Sequence, residues 1–154
     1  MSNPKTKFVY VTYIMATPEK IFEAIVKPEI ARQYWGHENV SDWKVGSKWE
    51  HVRNNDERPV NIAGNVIEND PPKRLVISWA SPANYNNDSL HSRVTFELEP
   101  YVDMVRLTVT HDELIEGSDV VKAISSGWPR VLSSMKSYLE TGTALDVFAK
   151  PKNS

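Results

Sequence analysis

Four histidines, His37, His51, His91 and His111, are the side chains of this 154-residue chain best suited to moving a proton near neutral pH. Their spacing forms no H-x-H or H-E-x-x-H pattern, so a metal site would have to assemble from distant strands, and none is expected. Cysteine is absent, which removes thiolate nucleophiles, thiolate metal ligands and disulfides together. No G-x-S-x-G, Walker loop or G-x-G-x-x-G occurs, so hydrolase, nucleotide and dinucleotide chemistry lack a motif and no cofactor is expected. What remains is general acid–base work inside a pocket, by His111, His51 or a tyrosine, and no residue is assigned a catalytic role. His111 shares the inward parity of Val105, Leu107 and Val109 but stands beside Asp112 and Glu113, where a rim position is expected. His51, close to Glu50 and Arg53, could face a pocket opening or solvent. The pair Glu97 and Glu99 has outward parity and reads as a solvated face.

These side chains need elements to place them. Thr6 to Met15 is β-branched and aromatic on both parities, which predicts a strand covered on both sides. Thr17-Pro18-Glu19-Lys20 opens a helix with Thr17 as N-cap and Pro18 at the first helical position; Ile21, Phe22, Ile25 and Val26 form its apolar face. Pro28 ends it, and Glu29 to Trp35 reads as a second short helix closed by Gly36. The period then changes to two. Trp49, His51 and Arg53 alternate, followed by Val60, Ile62 and Val66, by Leu75, Ile77 and Trp79, by Val94, Phe96 and Leu98, and by Val105, Leu107 and Val109. Turns at Asn54-Asn55-Asp56, Asn69-Asp70-Pro71-Pro72 and Glu99-Pro100-Tyr101 are short enough to demand antiparallel neighbours, with a longer polar connection from Ser81 to Ser89. One sheet face is therefore dry and the other, with Arg93, Thr95, Glu97, Arg106, Thr108 and Thr110, is wet.

Val121, Ile124, Trp128, Val131, Leu132, Met135 and Leu139 recur at helical steps from Ser118 to Thr141, a rod of roughly 24 residues and about 36 Å. A rod that long spans nearly the whole domain and must cover the dry sheet face. Gly127 and Pro129 fall near its middle. Pro129 has no N–H and collides with the carbonyl of Ser125, so a bend or short break is expected between Ser125 and Pro129, either as a curved rod or as one helix ending and another beginning.

Composition limits the function classes. A net charge of −2, from 18 basic and 20 acidic residues, supplies no field for nucleic acid or an anionic membrane. No apolar run reaches the length of a membrane span, and the start lacks the shape of a signal peptide, so a cytoplasmic protein without membrane insertion is expected. The sequon Asn87-Asp88-Ser89 is taken as chance. One domain over residues 1–142 is expected, with 143–154 as a tail; that tail carries Leu145, Val147 and Phe148, which could dock across a pocket mouth or a subunit contact, with fraying the plainer expectation.

The order of a strand, two small helices, a run of antiparallel strands and a long terminal helix resembles the helix-grip fold of the START-related, birch-pollen-allergen-like (SRPBCC) superfamily. Within it, four pieces are similar to the activator of heat-shock-protein-90 ATPase homologue family in its small single-domain form: Thr17 to Ile25 with Pro28 and Trp35; Val45-Gly46-Ser47-Lys48-Trp49; Gly64 to Trp79; and Ser92 to Pro100 leading to Leu107 through His111. The Gly127-Trp128 pair also fits, whereas the family often has two glycines where this chain has Gly46-Ser47. The fold class implied is α+β, a curved antiparallel sheet wrapped around a C-terminal helix.

The resemblance implies a cavity between sheet and helix, holding a small hydrophobic, aromatic or lipid-like ligand. Its lining is expected from Trp35 of the second helix, from Trp49, His51, Ile62, Ile77, Trp79, Phe96, Leu107, Val109 and His111 of successive strands, and from Trp128, Leu132 and Met135 of the terminal helix. Val109→Trp is expected to fill it. The competing expectation is a space plugged by Trp49, Trp79, Phe96 and Trp128, because interiors pack to high density. A binding or carrier module leads; a chaperone-cofactor-like interaction module and a cyclase or dehydratase using the same cavity stand as alternatives, and a homodimer is left open.

Overall fold

The computed structural model describes residues 4–147. The chain order is β1 (Lys5–Ile14), α1 (Pro18–Val26), α2 (Pro28–Trp35), β2 (His37–Val40), β3 (Lys48–Arg53), β4 (Val60–Asp70), β5 (Arg74–Trp79), β6 (Ser92–Tyr101), β7 (Met104–Ile115) and α3 (Asp119–Thr141). Two single-turn 3₁₀ helices, Pro82–Asn84 and Asp88–Leu90, interrupt the connection between β5 and β6. All seven strands join one antiparallel sheet in the order β1-β7-β6-β5-β4-β3-β2. The fold is the α+β helix-grip arrangement expected from the pattern of elements.

The helix starts follow their local chemistry. Thr17 Oγ1 accepts the N–H of Lys20 at 3.2 Å, and Ser118 Oγ accepts that of Val121 at 3.4 Å; caps of this kind stabilise by about 1 kcal/mol. Gly142 closes α3 in the left-handed region at φ 82°, its N–H donating to the Tyr138 carbonyl at 2.8 Å. α3 buries Ile124, Trp128, Val131, Leu132 and Met135 against the sheet, and each large apolar side chain so buried contributes roughly 1.5–3 kcal/mol.

α3 runs without interruption through Pro129, so two separate helices are not formed. The hydroxyls of Ser125 and Ser133 donate to the carbonyls of Val121 and Pro129 at 2.6 Å each. Burial of the stripe on both sides of the proline outweighs the one backbone hydrogen bond lost there.

Three further expectations are corrected, and one strand, β2, was not foreseen. β1 is an edge strand whose Val9, Val11 and Tyr13 face outward and are exposed, while Phe8, Tyr10 and Ile14 face the core; alternation in burial, not in hydrophobicity, marks its two faces. β2, four residues long, has too little pattern to be read from sequence, and it pairs with β3 in the register His37 to Arg53. The β6–β7 turn lies at Val102-Asp103, past the expected position, because Tyr101 still pairs with Met104. Residues 143–147, the start of the tail, lie against α3: Leu145 N–H donates to Ser134 Oγ at 3.1 Å, and Arg130 reaches the Val147 carbonyl at 3.4 Å. Phe148 and the rest of the tail lie outside the described residues.

Candidate functional site

A cavity of about 490 Å³, open to solvent, lies at the end of the sheet where the first half of α3 crosses it. Its inner wall is aromatic. Trp35 at the end of α2, Trp79 at the end of β5 and Trp128 of α3 meet edge to face or tilted, with ring centroids 5.8 Å apart for Trp35 and Trp128 and 5.6 Å for Trp79 and Trp128. His51 of β3 packs its ring against Trp35 at 4.7 Å and stacks on His37 of β2 at 4.3 Å, the two imidazoles nearly parallel.

The opposite wall is the connection between β5 and β6, through Ser81, Asn84, Leu90 and His91. Its position is held by a relay of hydrogen bonds. Asn65 N–H donates to Ser78 Oγ at 2.8 Å, leaving the Ser78 hydroxyl to donate to His91 Nδ1 at 2.9 Å. His91 Nε2–H then donates to the Tyr85 carbonyl at 2.8 Å, and the Tyr85 hydroxyl returns to Asn65 Oδ1 at 2.6 Å. His91 was not singled out as a pocket residue in the sequence, since nothing local to it announces that it ties a loop to the sheet.

Gly127 completes the lining. A Cβ built on it meets nothing within 4 Å, and the residue faces the cavity from the middle of α3. A glycine within a helix costs up to about 1 kcal/mol relative to alanine. Here it leaves the helix backbone itself as part of the cavity wall.

Of the thirteen expected lining residues, the structure places Trp35, His51, Ile62, Trp79 and Trp128 at the cavity. Trp49, Ile77, Phe96, Leu107, Val109, His111, Leu132 and Met135 are buried in the packed core instead. The dry face of the sheet is longer than the open space: its deeper part is sealed by α1, α2 and the second half of α3, which is where Phe96, Leu132 and Met135 pack. Trp49 and Phe96 pack in the filled interior, while Trp79 and Trp128 border open space. Val109 is fully buried in that core, so Val109→Trp would overpack it and leave the cavity untouched.

His111 is also away from the rim. β7 continues to Ile115, and His111 is wholly buried beneath Trp79 and Trp128. Trp128 Nε1–H can only donate, so His111 Nδ1, at 3.1 Å, is its acceptor and is unprotonated. Nε2 therefore carries the proton and donates to Ser92 Oγ at 2.7 Å, while the Ser92 hydroxyl donates to the Trp79 carbonyl at 3.1 Å. Burial holds the His111 pKa down at about 4, against a small opposing pull from Asp112. Both ring nitrogens are engaged, and His111 has neither the basicity nor the free lone pair of a general base.

His51 differs in one respect. Asn39 donates its amide N–H to the Ile25 carbonyl at 2.8 Å, which turns its Oδ1 toward His51 Nδ1 at 2.7 Å. An amide oxygen accepts only, so Nδ1 of His51 carries the proton and Nε2 is a bare lone pair. Burial, and secondarily the neighbouring His37, hold the His51 pKa well below its ordinary value. His37 is likewise lowered, by burial first and by Arg53 to a lesser degree, against a hydrogen bond from its ring to the Trp35 carbonyl. Among the described residues, no three His, Asp or Glu side chains gather closely enough to hold a metal ion. No helix among them is long and apolar enough to cross a membrane.

Fold and cavity together define a helix-grip protein with an aromatic-walled opening under its terminal helix. The profile of the family described as "Activator of Hsp90 ATPase homolog 1-like protein" matches residues 15–140, and the chain belongs to that family. Among solved structures it is similar to the Aha1 dimer from Colwellia psychrerythraea, at 23% identity and a TM-score of 0.74 over 89% of this chain and 98% of that one. ChR145 from Cytophaga hutchinsonii is 27% identical, with a TM-score of 0.71 over 92% and 98% of the two chains. DynU16, a protein of the dynemicin biosynthetic locus, is 18% identical, with a TM-score of 0.68 over 90% of this chain and 48% of its own. No curated protein matches the sequence.

Proposed function

We propose that this protein binds one small, uncharged, largely apolar aromatic molecule in the cavity beneath the first half of α3. The observation that carries the reading is the space itself: about 490 Å³ walled by Trp35, Trp79 and Trp128 and kept clear by the missing side chain of Gly127. Desolvation of an apolar ligand against three indoles supplies the affinity, and a few polar groups supply orientation. None of the described lining residues is Lys or Arg, and Glu113, the single carboxylate among them, is paired with Lys5 at 2.7 Å. Carboxylate and phosphate ligands therefore find no counter-charge. Binding or carriage is favoured over a cyclase or dehydratase role, because His111 is fully engaged and His51 is a weak base at neutral pH.

Titration with 1-methoxynaphthalene, followed by tryptophan fluorescence, tests the reading. One saturable site is expected in the wild type, lost in Gly127→Phe with the thermal midpoint retained. Absence of saturation, or equal binding by Gly127→Phe, would place any ligand elsewhere.

We propose a second copy of this chain as the partner for the outer face of β1, where Val9, Val11 and Tyr13 are exposed and Tyr13 packs on Tyr101 at 5.2 Å. The similar Colwellia protein was solved as a dimer, and an exposed apolar stripe on an edge strand is a surface that association covers. Light scattering is expected to give a dimer mass that Val11→Lys reduces to the monomer. A wild-type monomer at tens of micromolar would reassign that face to a heterologous partner, the chaperone contact suggested by the family description included.

A further inference from the structure

His51 presents an unusual combination: it is 5% exposed, its Nδ1 is committed to Asn39, and its Nε2 has no hydrogen-bond partner among the described residues. Among the described residues the one buried side-chain polar atom that is both sealed and unpaired is Asn69 Oδ1. Nε2 of His51 is therefore unpaired without being sealed, and it reaches the cavity that His51 lines. Water in the open cavity can donate to such an acceptor, so a ligand that displaces that water must itself donate to Nε2 or leave it unpaired at a cost.

The identity of that donor follows from the surroundings. Stacking on His37 and edge contact with Trp35 fix the imidazole plane, and the Asn39 and Ile25 pair fixes its tautomer. The acceptor is thus preorganised, and a ligand pays little to use it. A cationic donor would have to enter an indole-lined space whose one lining carboxylate, Glu113, is already paired with Lys5, and an anionic ligand would find no Lys or Arg among the described lining residues. A neutral O–H on an aromatic ring meets every condition: its ring packs against Trp79 and Trp128 while its hydroxyl donates to Nε2.

We infer that the cavity selects hydroxylated aromatics, phenol- or naphthol-like molecules, by a hydrogen bond from the ligand hydroxyl to Nε2 of His51. This rests on the reading of the cavity as a ligand site and adds its selectivity. No proton is transferred; the hydroxyl stays on the ligand and His51 acts as an acceptor only.

Three probes of similar shape separate the two readings: 1-naphthol, 1-methoxynaphthalene and 1-naphthoate, each titrated at neutral pH into wild type and His51→Leu. 1-Naphthol is expected to bind the wild type about three- to tenfold more tightly than 1-methoxynaphthalene, the range of one neutral hydrogen bond. The carboxylate is expected to bind weakest. In His51→Leu the preference for naphthol over its methyl ether should collapse while the ether still binds. A measurement on the wild type stands beside the variant: the ¹⁵N resonance of His51 Nε2 should move upfield with 1-naphthol and stay in place with the ether. Equal affinity for naphthol and ether, or a resonance indifferent to both, would overturn the selectivity while leaving the cavity reading intact. Failure of all three to bind would remove the cavity reading itself.

Discussion

Trp128 Nε1–H donates to His111 Nδ1 across 3.1 Å, joining the middle of α3 to the inner face of β7 inside the core. The contact fixes the imidazole as the Nε2–H tautomer, whose N–H donates to Ser92 Oγ while the Ser92 hydroxyl donates to the carbonyl of Trp79. A histidine that looks reactive in the sequence is thereby a structural clamp between helix and sheet. Its worth depends on its staying neutral.

That dependence predicts a pH profile. The folded pKa of His111 is about 4, held down by burial, whereas in the unfolded chain it is near 6.5. Between those values the unfolded chain binds a proton that the folded one does not. Stability is therefore complete above pH 6.5 and falls as the pH is lowered toward 4, by roughly 3 kcal/mol for this group. His51 and His37, also lowered, act in the same direction. Urea midpoints from pH 7.5 to 4 should show the decline, and His111→Gln should flatten it; an equally steep profile in that variant would assign the loss to other groups.

Gly127→Ala should raise stability by about 0.5–1 kcal/mol, because the added methyl meets open space and glycine in a helix interior costs that much. The same substitution should leave aromatic binding measurable but weaker. A thermal scan paired with a fluorescence titration checks both, and a loss of stability would show that the space is occupied.

Gly64 behaves in the opposite way. It lies across from Trp49 in the β3–β4 pairing, and a Cβ there would overlap the Ser78 carbonyl and come within 2.6 Å of Trp49 Nε1. The indole lies close against bare backbone and donates to that same carbonyl at 2.8 Å. Gly64→Ala should destabilise by about 3 kcal/mol or more, read as a large drop in urea midpoint. A neutral effect would mean that Trp49 does not sit over β4.

Asn39→Ala should cost roughly 1–3 kcal/mol, since it leaves the Ile25 carbonyl and the His51 Nδ1–H buried without partners. It also frees the His51 tautomer. The ¹⁵N resonances of His51 should then show both nitrogens partly protonated, where the wild type shows Nδ1 alone, and an unchanged spectrum would mean that Asn39 does not set the tautomer.

Much of the fold was written in local pattern. Thr17-Pro18, Ser118 and Gly142 mark helix ends because their conformational preferences act over one turn of chain. The alternation in β6 and β7 marks the dry and wet sheet faces because side chains in a strand must point to opposite sides. Family membership was legible for the same reason, in motifs that encode turns, caps and packing.

The site was less legible. Residue type and parity placed Trp35, His51, Ile62, Trp79 and Trp128 on the correct face, yet Phe96, Leu107 and Met135 carry the same signal and lie in the filled part of the interior. Whether a buried face meets another side chain or open space depends on what crosses it from elsewhere in the chain, and no local pattern records that.

The sequence by itself determined which residues turn inward, where the helices begin and end, and the family to which the chain belongs, since each of these rests on interactions between near neighbours. Only the tertiary structure decided that His111 is clamped while His51 keeps a free lone pair, and that Gly127 borders empty space rather than breaking a helix. Those outcomes come from Trp128, Asn39 and Ser92, brought together from separate elements, and long-range contacts of that kind have no signature until the chain has folded.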